Sequence, residues 1–509
     1  MSLPAELAAL QKEIEGYARG YGLDFFETVF EVVDYKRMNE VASYGGFATR
    51  YPHWTFGMEY DGLSKGYSYG LQKIYELVIN NRPTYAYLLE SNGLVDQKMV
   101  MAHVFGHGDF FKNNVWFDKT NRNMLDVMAN HGTRVRRYIE KHGLDNVENF
   151  LDRCLSLENL IDHHQPFIPK RSAPARTGDA RLANRRAEDD DEPLTVKKLR
   201  SKSYMDSFIN PAEYLERQRQ KMEEDRRKTK NIPAEPQKDV LLFLAEHAPL
   251  ERWERDVLTM ARDEAIYFAP QRQTKIMNEG WASYWHSKIM TTKALRDSEL
   301  IDFADHHAAT MGTRPGSLNP YKLGIELFRD IEDRWNRGRF GKAYDDCDSL
   351  EEKRSWDKAL GLGREKIFEV RKLYSDITFI DEFLTPEFVR AQKLFTYAWN
   401  KQSSQYEIAD REFRKVKEKL LQQLTNLGQP FVYVVDANHN NRGELYLFHR
   451  HDGVDLDVDH ARETLKNVQA LWRRPVLIES RINDRPRLLV YDGQDHKEIA
   501  LDRSNEIRV

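Results

Sequence analysis

Two histidines four residues apart, His103 and His107 in DQKMVMAHVFGHGDFFKNN, stand out first, together with Glu279 in QTKIMNEGWASYWHSKIM. On a helix, residues four apart lie one turn above each other, so both imidazoles can reach a single metal ion. Asp96 is placed to act as the N-cap of such a helix, with Met99, Val100 and Val104 as its inward stripe. An isolated HxxxH pair is more often two ordinary helix histidines. The second segment reads as a helix in which Glu279, Ala282, Ser283 and His286 share a face. A carboxylate crowded by Trp281, Tyr284 and Trp285 is costly to bury without a cation or a hydrogen-bonded partner. An arginine or lysine could be that partner. Taken together, however, two histidines and a glutamate make the ligand set of hydrolytic zinc sites, whose fourth position holds water.

Other chemistries lack their residues. There is no GxxxxGK[ST], no GxGxxG after a strand and no GxSxG, so nucleotide hydrolysis, dinucleotide redox and serine-elbow hydrolysis find no support. A ferritin-like di-iron centre would need Glu-x-x-His pairs on two helices, and neither candidate helix has one. Cys154 and Cys347 are the only cysteines, which excludes a disulfide framework, a CxxC centre and an all-thiolate zinc site within the chain. The 509 residues carry 77 Lys+Arg against 81 Asp+Glu, a net charge of −4 that does not suggest a nucleic-acid binder. At its start, Leu7, Leu10, Ile14 and Tyr17 recur at helical spacing among acidic residues, unlike a signal peptide. No apolar run approaches the roughly 18 residues of a membrane span. The expectation is a cytoplasmic protein with no membrane insertion.

These residues need elements to position them. Apolar periodicity is mostly helical, as in VLLFLAEHAPLERWERDVLTMARDEAIYF and YKLGIELFRDIEDRW, so the body is expected to be mainly α. DFFETVFEVVDY near residue 24 and PTYAYLLES near residue 83 read as strands of a small β-sheet beside the helices. Residues 1–169 and 236–427 are read as the two parts of this helical body, carrying the HxxxH and NEGWA helices. Residues 170–235 are read as a charged, disordered insert, because RSAPARTGDARLANRRAEDDDEP has almost no large apolar residues to repay its ordering entropy. Residues 428–509 are read as a small α+β domain: QPFVYVVD and ELYLFHR are strands around an ANHNNRG turn, followed by a helix and two more strands. By elimination its expected role is that of a partner or regulatory module.

Four stretches, YPHWTFG at 51–57, MAHVFGHGDFFKNN at 101–114, PQRQTKIMNEGWASYWH at 270–286 and LNPYKLG at 318–324, resemble the SpoVR (stage V sporulation protein R) family, including its YcgB-like members. The resemblance runs through most of the chain. It implies a cytosolic protein of spore-cortex formation or stationary-phase stress, associated with a PrkA-type serine protein kinase and a YeaH/YhbH-type protein. A more distant likeness is to gluzincin metallopeptidases, in which an HExxH helix and a later glutamate bind zinc. It implies a gluzincin-like helical body, with His103, His107 and Glu279 as ligands of one divalent ion, expected to be zinc. The departure is at Val104, which stands where the general-base glutamate would be. Glu31 and Glu90, at the two candidate strands, are the replacements considered. His286 is a third candidate for a catalytic role, and His53 and His307 are further candidates for the same pocket. Lys112, Asn113 and Asn114 could donate to a substrate, or simply end a helix, and His163 and His164 border the insert and are discounted. The function expected is metal-dependent hydrolysis of an amide or peptide bond. The alternative is a non-enzymatic scaffold or regulator working with the kinase.

Overall fold

A computed structural model of the chain describes residues 3–68, 74–168, 205, 211–220, 232–314 and 316–502. Most of the charged insert expected at 170–235 lies outside them. The chain divides into two compact units, each built from two segments: residues 1–149 with 264–429, and residues 150–263 with 430–509. No helix among the described residues is long and apolar enough to cross a membrane.

The first unit is mainly helical around a three-stranded sheet of order β1-β3-β2, with β1 Thr28–Val33, β2 Glu76–Ile79 and β3 Thr84–Leu89. β1 runs parallel to β3, with Glu31 opposite Tyr87, and β2 runs antiparallel to it, with Glu76 opposite Leu88. Because side chains alternate along a strand, this register sorts residues between two cores. Phe30, Ala86 and Leu88 enter the core that also holds Val100, Val104 and Phe105, with Val32 and Val78 packed against it. Val33, Tyr87 and Leu89 enter a second core with Met38, Val41 and Tyr267. Each fully buried side chain of this size contributes roughly 1.5–3 kcal/mol.

The helix carrying both histidines, Leu94–Asn113, is buried on nearly every face and is therefore a central element. Its cap is Gly93, so Asp96, expected at that position, lies instead in the first turn. There its charge still suits the positive end of the helix, and it sits 2.5 Å from His306 Nδ1. The helix carrying Glu279, Lys275–Ile289, runs against it, and a third helix, Pro320–Arg337, packs on the other side. The LNPYKLG stretch starts this third helix for clear reasons. Asn319 caps it by accepting from Lys322 N, and Pro320, whose missing N–H costs nothing there, takes its first turn.

The glutamate-bearing helix is capped from a distance. Asp376, buried at the start of the helix Asp376–Phe383, accepts the backbone N–H groups of Ile276 (2.8 Å) and Met277 (2.9 Å). Burial carries its carboxyl up to about 7, against the opposing pull of those two donors. The folded chain thus keeps a proton that the unfolded chain has released, so stability falls as pH rises from about 4 towards 7. Asp376→Asn should flatten this decline in urea-unfolding series run across that pH range, and an unchanged slope would contradict the assignment.

The first unit also holds a two-stranded sheet of β4 Thr396–Asn400 and β5 Gln405–Asp410, and the second unit holds a five-stranded sheet of order β10-β9-β8-β7-β6. The strands are β6 Phe431–His439, β7 Glu444–Arg450, β8 Val476–Ile482, β9 Arg485–Tyr491 and β10 His496–Ala500. The β6–β7 turn uses Asn440, Asn441 and Gly443 at φ of 56°, 56° and 68°, a conformation that asparagine and glycine tolerate best. β7 and β8 are parallel, so the chain must cross over between them, and helix Val458–Trp472 makes the crossover and packs on β8 and β9. Residues 150–169 and 236–263, expected in the helical body, belong to this unit. Gln237 bridges to Val434, and Arg473 pairs with Glu254 at 2.9 Å.

Candidate metal centre

The histidine-bearing and glutamate-bearing helices approach closely because small residues face each other. A Cβ on Gly106 would lie 2.7 Å from Ala282 Cα, so the residue before His107 has to be glycine. Asp109, fully buried one turn on, accepts from Trp281 Nε1 at 2.8 Å and from Asp24 N at 2.8 Å, and Arg371 Nε lies 3.4 Å away. This charged bolt fixes the register of the two helices.

The register brings His103, His107 and Glu279 together. His103 Nε2 and His107 Nε2 lie 3.6 and 3.5 Å from Glu279 Oε2, and the three ligand atoms fall within 4.8 Å of one another. These separations exceed a good hydrogen bond. They suit a shared cation, since two zinc–ligand bonds of about 2.0–2.1 Å at a tetrahedral angle set their donor atoms about 3.3 Å apart. Glu279 Oε2 is buried with no hydrogen-bond partner, an expensive state that a cation would relieve. The residues therefore fit a divalent metal.

The outer nitrogens of both imidazoles are engaged. His107 Nδ1 donates to Asn278 Oδ1 at 2.9 Å, which turns its Nε2 lone pair towards Glu279. His103 Nδ1 is 2.9 Å from His286 Nδ1, and His286 Nε2 is 3.2 Å from His307 Nδ1, making a file of three histidines that ends half-buried. Burial and the neighbouring His107 hold His103 down to about 4, and burial with His103 and His307 holds His286 well below the usual histidine range. Both are therefore neutral at pH 7, the form an imidazole needs in order to bind a metal. Burial also pushes His107 down, but Glu279 and Asn278 outweigh it and the net shift is upward. Burial pushes the Glu279 carboxyl up, yet the two imidazoles outweigh this and hold it well below the usual carboxylate range.

Three groups complete the surroundings without having been singled out in the sequence. Asn278 is one. Tyr321, from LNPYKLG, stacks on His103 with ring centroids 6.1 Å apart, and its phenol lies beside Glu279. Glu76, on β2, feels the charges of His107 and Glu279. The pattern of YELVIN around Glu76 is a weak signal for a short strand, and the LNPYKLG stretch was the available signal for Tyr321.

Other candidates sit elsewhere. Glu31 pairs in register with Tyr87, on the sheet face turned away from His103 and His107, and its charge acts on Arg37. Glu90 is exposed just beyond β3. His53 lines a separate cavity of about 690 Å³ with Arg37, Glu40, Arg50 and Tyr51, and its Nδ1 is 2.7 Å from Thr55 Oγ1. Lys112 pairs with Asp24 at 2.5 Å, Asn113 donates to Asp24 O, and Asn114 donates to Arg371 O and Tyr374 O, so all three tie down the end of the helix. His163 and His164 belong to the other unit.

Comparison with known proteins agrees with the motifs. The family model described as SpoVR like protein matches residues 2–429, and that of the SpoVR-like C-terminal domain matches residues 430–483. The chain is 31% identical over 506 residues to the Uncharacterized protein YcgB of Escherichia coli (strain K12), covering 93% of this chain and 91% of that one. No solved structure matches. With the family model spanning the histidine-bearing and glutamate-bearing helices and this relative covering nearly the whole length, the chain belongs to the SpoVR family.

Proposed function

We propose that this chain is a metal-dependent hydrolase of amide or peptide bonds, with one zinc ion held by His103, His107 and Glu279. The observation that carries the reading is the buried Glu279 Oε2, which has no hydrogen-bond partner and faces two imidazole nitrogens at 3.5 and 3.6 Å. Zinc bound there would polarise a carbonyl and lower the pKa of a water in its open fourth position. The chain's own residues do the remaining work. His286 and Asn278 hold the two ligand rings in orientation, and the Tyr321 phenol, beside Glu279, is placed to donate to an oxyanion as it develops.

The biological setting we propose is the cytoplasm during sporulation or stress, alongside a PrkA-type serine kinase and a YeaH/YhbH-type protein, as the family resemblance implies. A second reading, a scaffold or regulator of that kinase with a structural metal, is favoured by Val104, which is fully buried and offers no base beside His103. Elemental analysis of the purified chain, followed by assay on a mixed fluorogenic peptide library before and after chelation, separates the two. About one zinc per chain, with cleavage lost on chelation and regained on reloading, supports the hydrolase. A full complement of zinc with four protein ligands and no cleavage supports the scaffold.

A further inference from the structure

A hydrolytic metal site of this kind needs a base near the attacking water, and on the histidine-bearing helix the position after His103 is Val104, while Asp96 and Asp109 are engaged with His306 and with Trp281 and Asp24. Val104, fully buried, packs in the core with Leu88 and Phe105. The sheet supplies what the helix omits. In the β2–β3 pair Glu76 stands directly opposite Leu88, and residues opposite one another in an antiparallel pair project from the same face. Leu88 enters the core formed with the histidine-bearing helix, and Val78, two residues along β2, packs against that same core. Glu76 is therefore on the face that looks at His103 and His107. β2 is also an edge strand, so its carboxylate stands at the rim of the sheet, half-buried.

We propose that Glu76 is the general base of this site, taking the proton of the attacking water and delivering it to the leaving nitrogen. The inference rests on the hydrolase reading above. In the step, a water O–H bond breaks and its proton moves to the Glu76 carboxylate as oxygen bonds to the carbonyl carbon. The C–N bond then breaks as that proton passes to nitrogen, leaving a carboxylic acid and an amine with water as the sole co-reactant.

The electrostatic neighbourhood agrees with this placement. The groups that act on Glu76 are His107, Glu279 and Asp96, and Glu76 in turn acts on Tyr321 and Tyr75. Burial, with Glu279 and Asp96 adding to it and His107 opposing, raises the Glu76 carboxyl above the usual carboxylate range. Glu31, in contrast, lies beyond β3 on the other edge strand and stands opposite Tyr87, one residue out of phase with Leu88, which puts it on the opposite face.

The test uses the full-length chain with Glu76→Gln and Glu76→Asp, loaded with zinc for peptide-library assays and with cobalt(II) for visible spectroscopy. Glu76→Gln should keep wild-type metal content and fold while cleavage falls at least about 100-fold, with Glu76→Asp recovering part of it. The pH midpoint of the cobalt spectrum should also move in Glu76→Gln. Loss of metal from Glu76→Gln would make Glu76 a ligand and overturn the proposal, as would cleavage within a few-fold of wild type. A wild type that binds metal but cleaves no probe sinks the hydrolase reading by itself. Glu76 is then judged on cobalt alone, where identical pH profiles for wild type and Glu76→Gln remove it from the metal's surroundings.

Discussion

Gly280→Val should prevent the first unit from folding, and even Gly280→Ala should cost it about 3 kcal/mol or more. A Cβ at Gly280 would fall inside van der Waals contact of Gly324 Cα and C and lie 2.9 Å from Ile325 N. All three are backbone atoms of the third helix, so no side chain can swing aside. The contact is reciprocal, because a Cβ at Gly324 would collide with Ile276 O and lie 3.0 Å from Gly280 N. Separating the helices to admit a methyl group would also pull Glu279, the adjacent residue, away from His103 and His107. Ordinary overpacking costs about 1–3 kcal/mol because neighbours can adjust; backbone against backbone leaves no such room. Thermal and urea denaturation of Gly280→Ala beside Gly57→Ala would check this. At Gly57 an added Cβ meets nothing within 4 Å, so that change should stay within about 0.5 kcal/mol or stabilise the chain. An unaltered midpoint for Gly280→Ala would show that the helices are not held as closely as described.

This crowding also explains what was readable from the chain. HVFGH and NEGWA carry their meaning locally: ligand-type residues at helical spacing, with a glycine beside His107 and another beside Glu279. The helices and strands that bear them follow from periodicity. What was not readable depends on register between distant strands. Glu31 and Glu76 are both glutamates on short strands, and only the pairing of β1 and β2 with β3 decides which one faces the histidines. A shift of one residue exchanges the faces, and no local pattern around ELVI or TVFEVV reveals the partner. β2 itself, four residues long, is too short for periodicity to distinguish it from a loop. The second unit was hidden for a related reason. Its halves lie far apart in sequence, and their association rests on pairs such as Gln237 with Val434. Asp376, which caps the glutamate-bearing helix 99 and 100 residues away in sequence, is likewise invisible to rules that look within one turn of a helix end.

Glu279→Gln should abolish metal binding while leaving the chain folded, with occupancy dropping from about one ion to below about 0.1 per chain after dialysis. The amide is nearly isosteric with the carboxylate, so packing among Trp281, Trp285 and the facing helix is retained. What changes is charge. The pocket holds a carboxylate that burial penalises and two imidazoles support, and the variant removes the negative charge that would offset a divalent cation in this dry setting. Two neutral imidazoles alone do not replace it, because a hydrolytic zinc site draws on three protein ligands. Asn278→Ala should act more mildly, weakening affinity about 10–100-fold by releasing His107 Nδ1 from its acceptor while all three ligands remain. Elemental analysis and competition against a chelator, with circular dichroism on the same samples, order the variants as wild type, Asn278→Ala, Glu279→Gln. Wild-type occupancy in folded Glu279→Gln would place the metal elsewhere, and equal losses in both variants would mean that ring orientation, not the carboxylate, governs affinity.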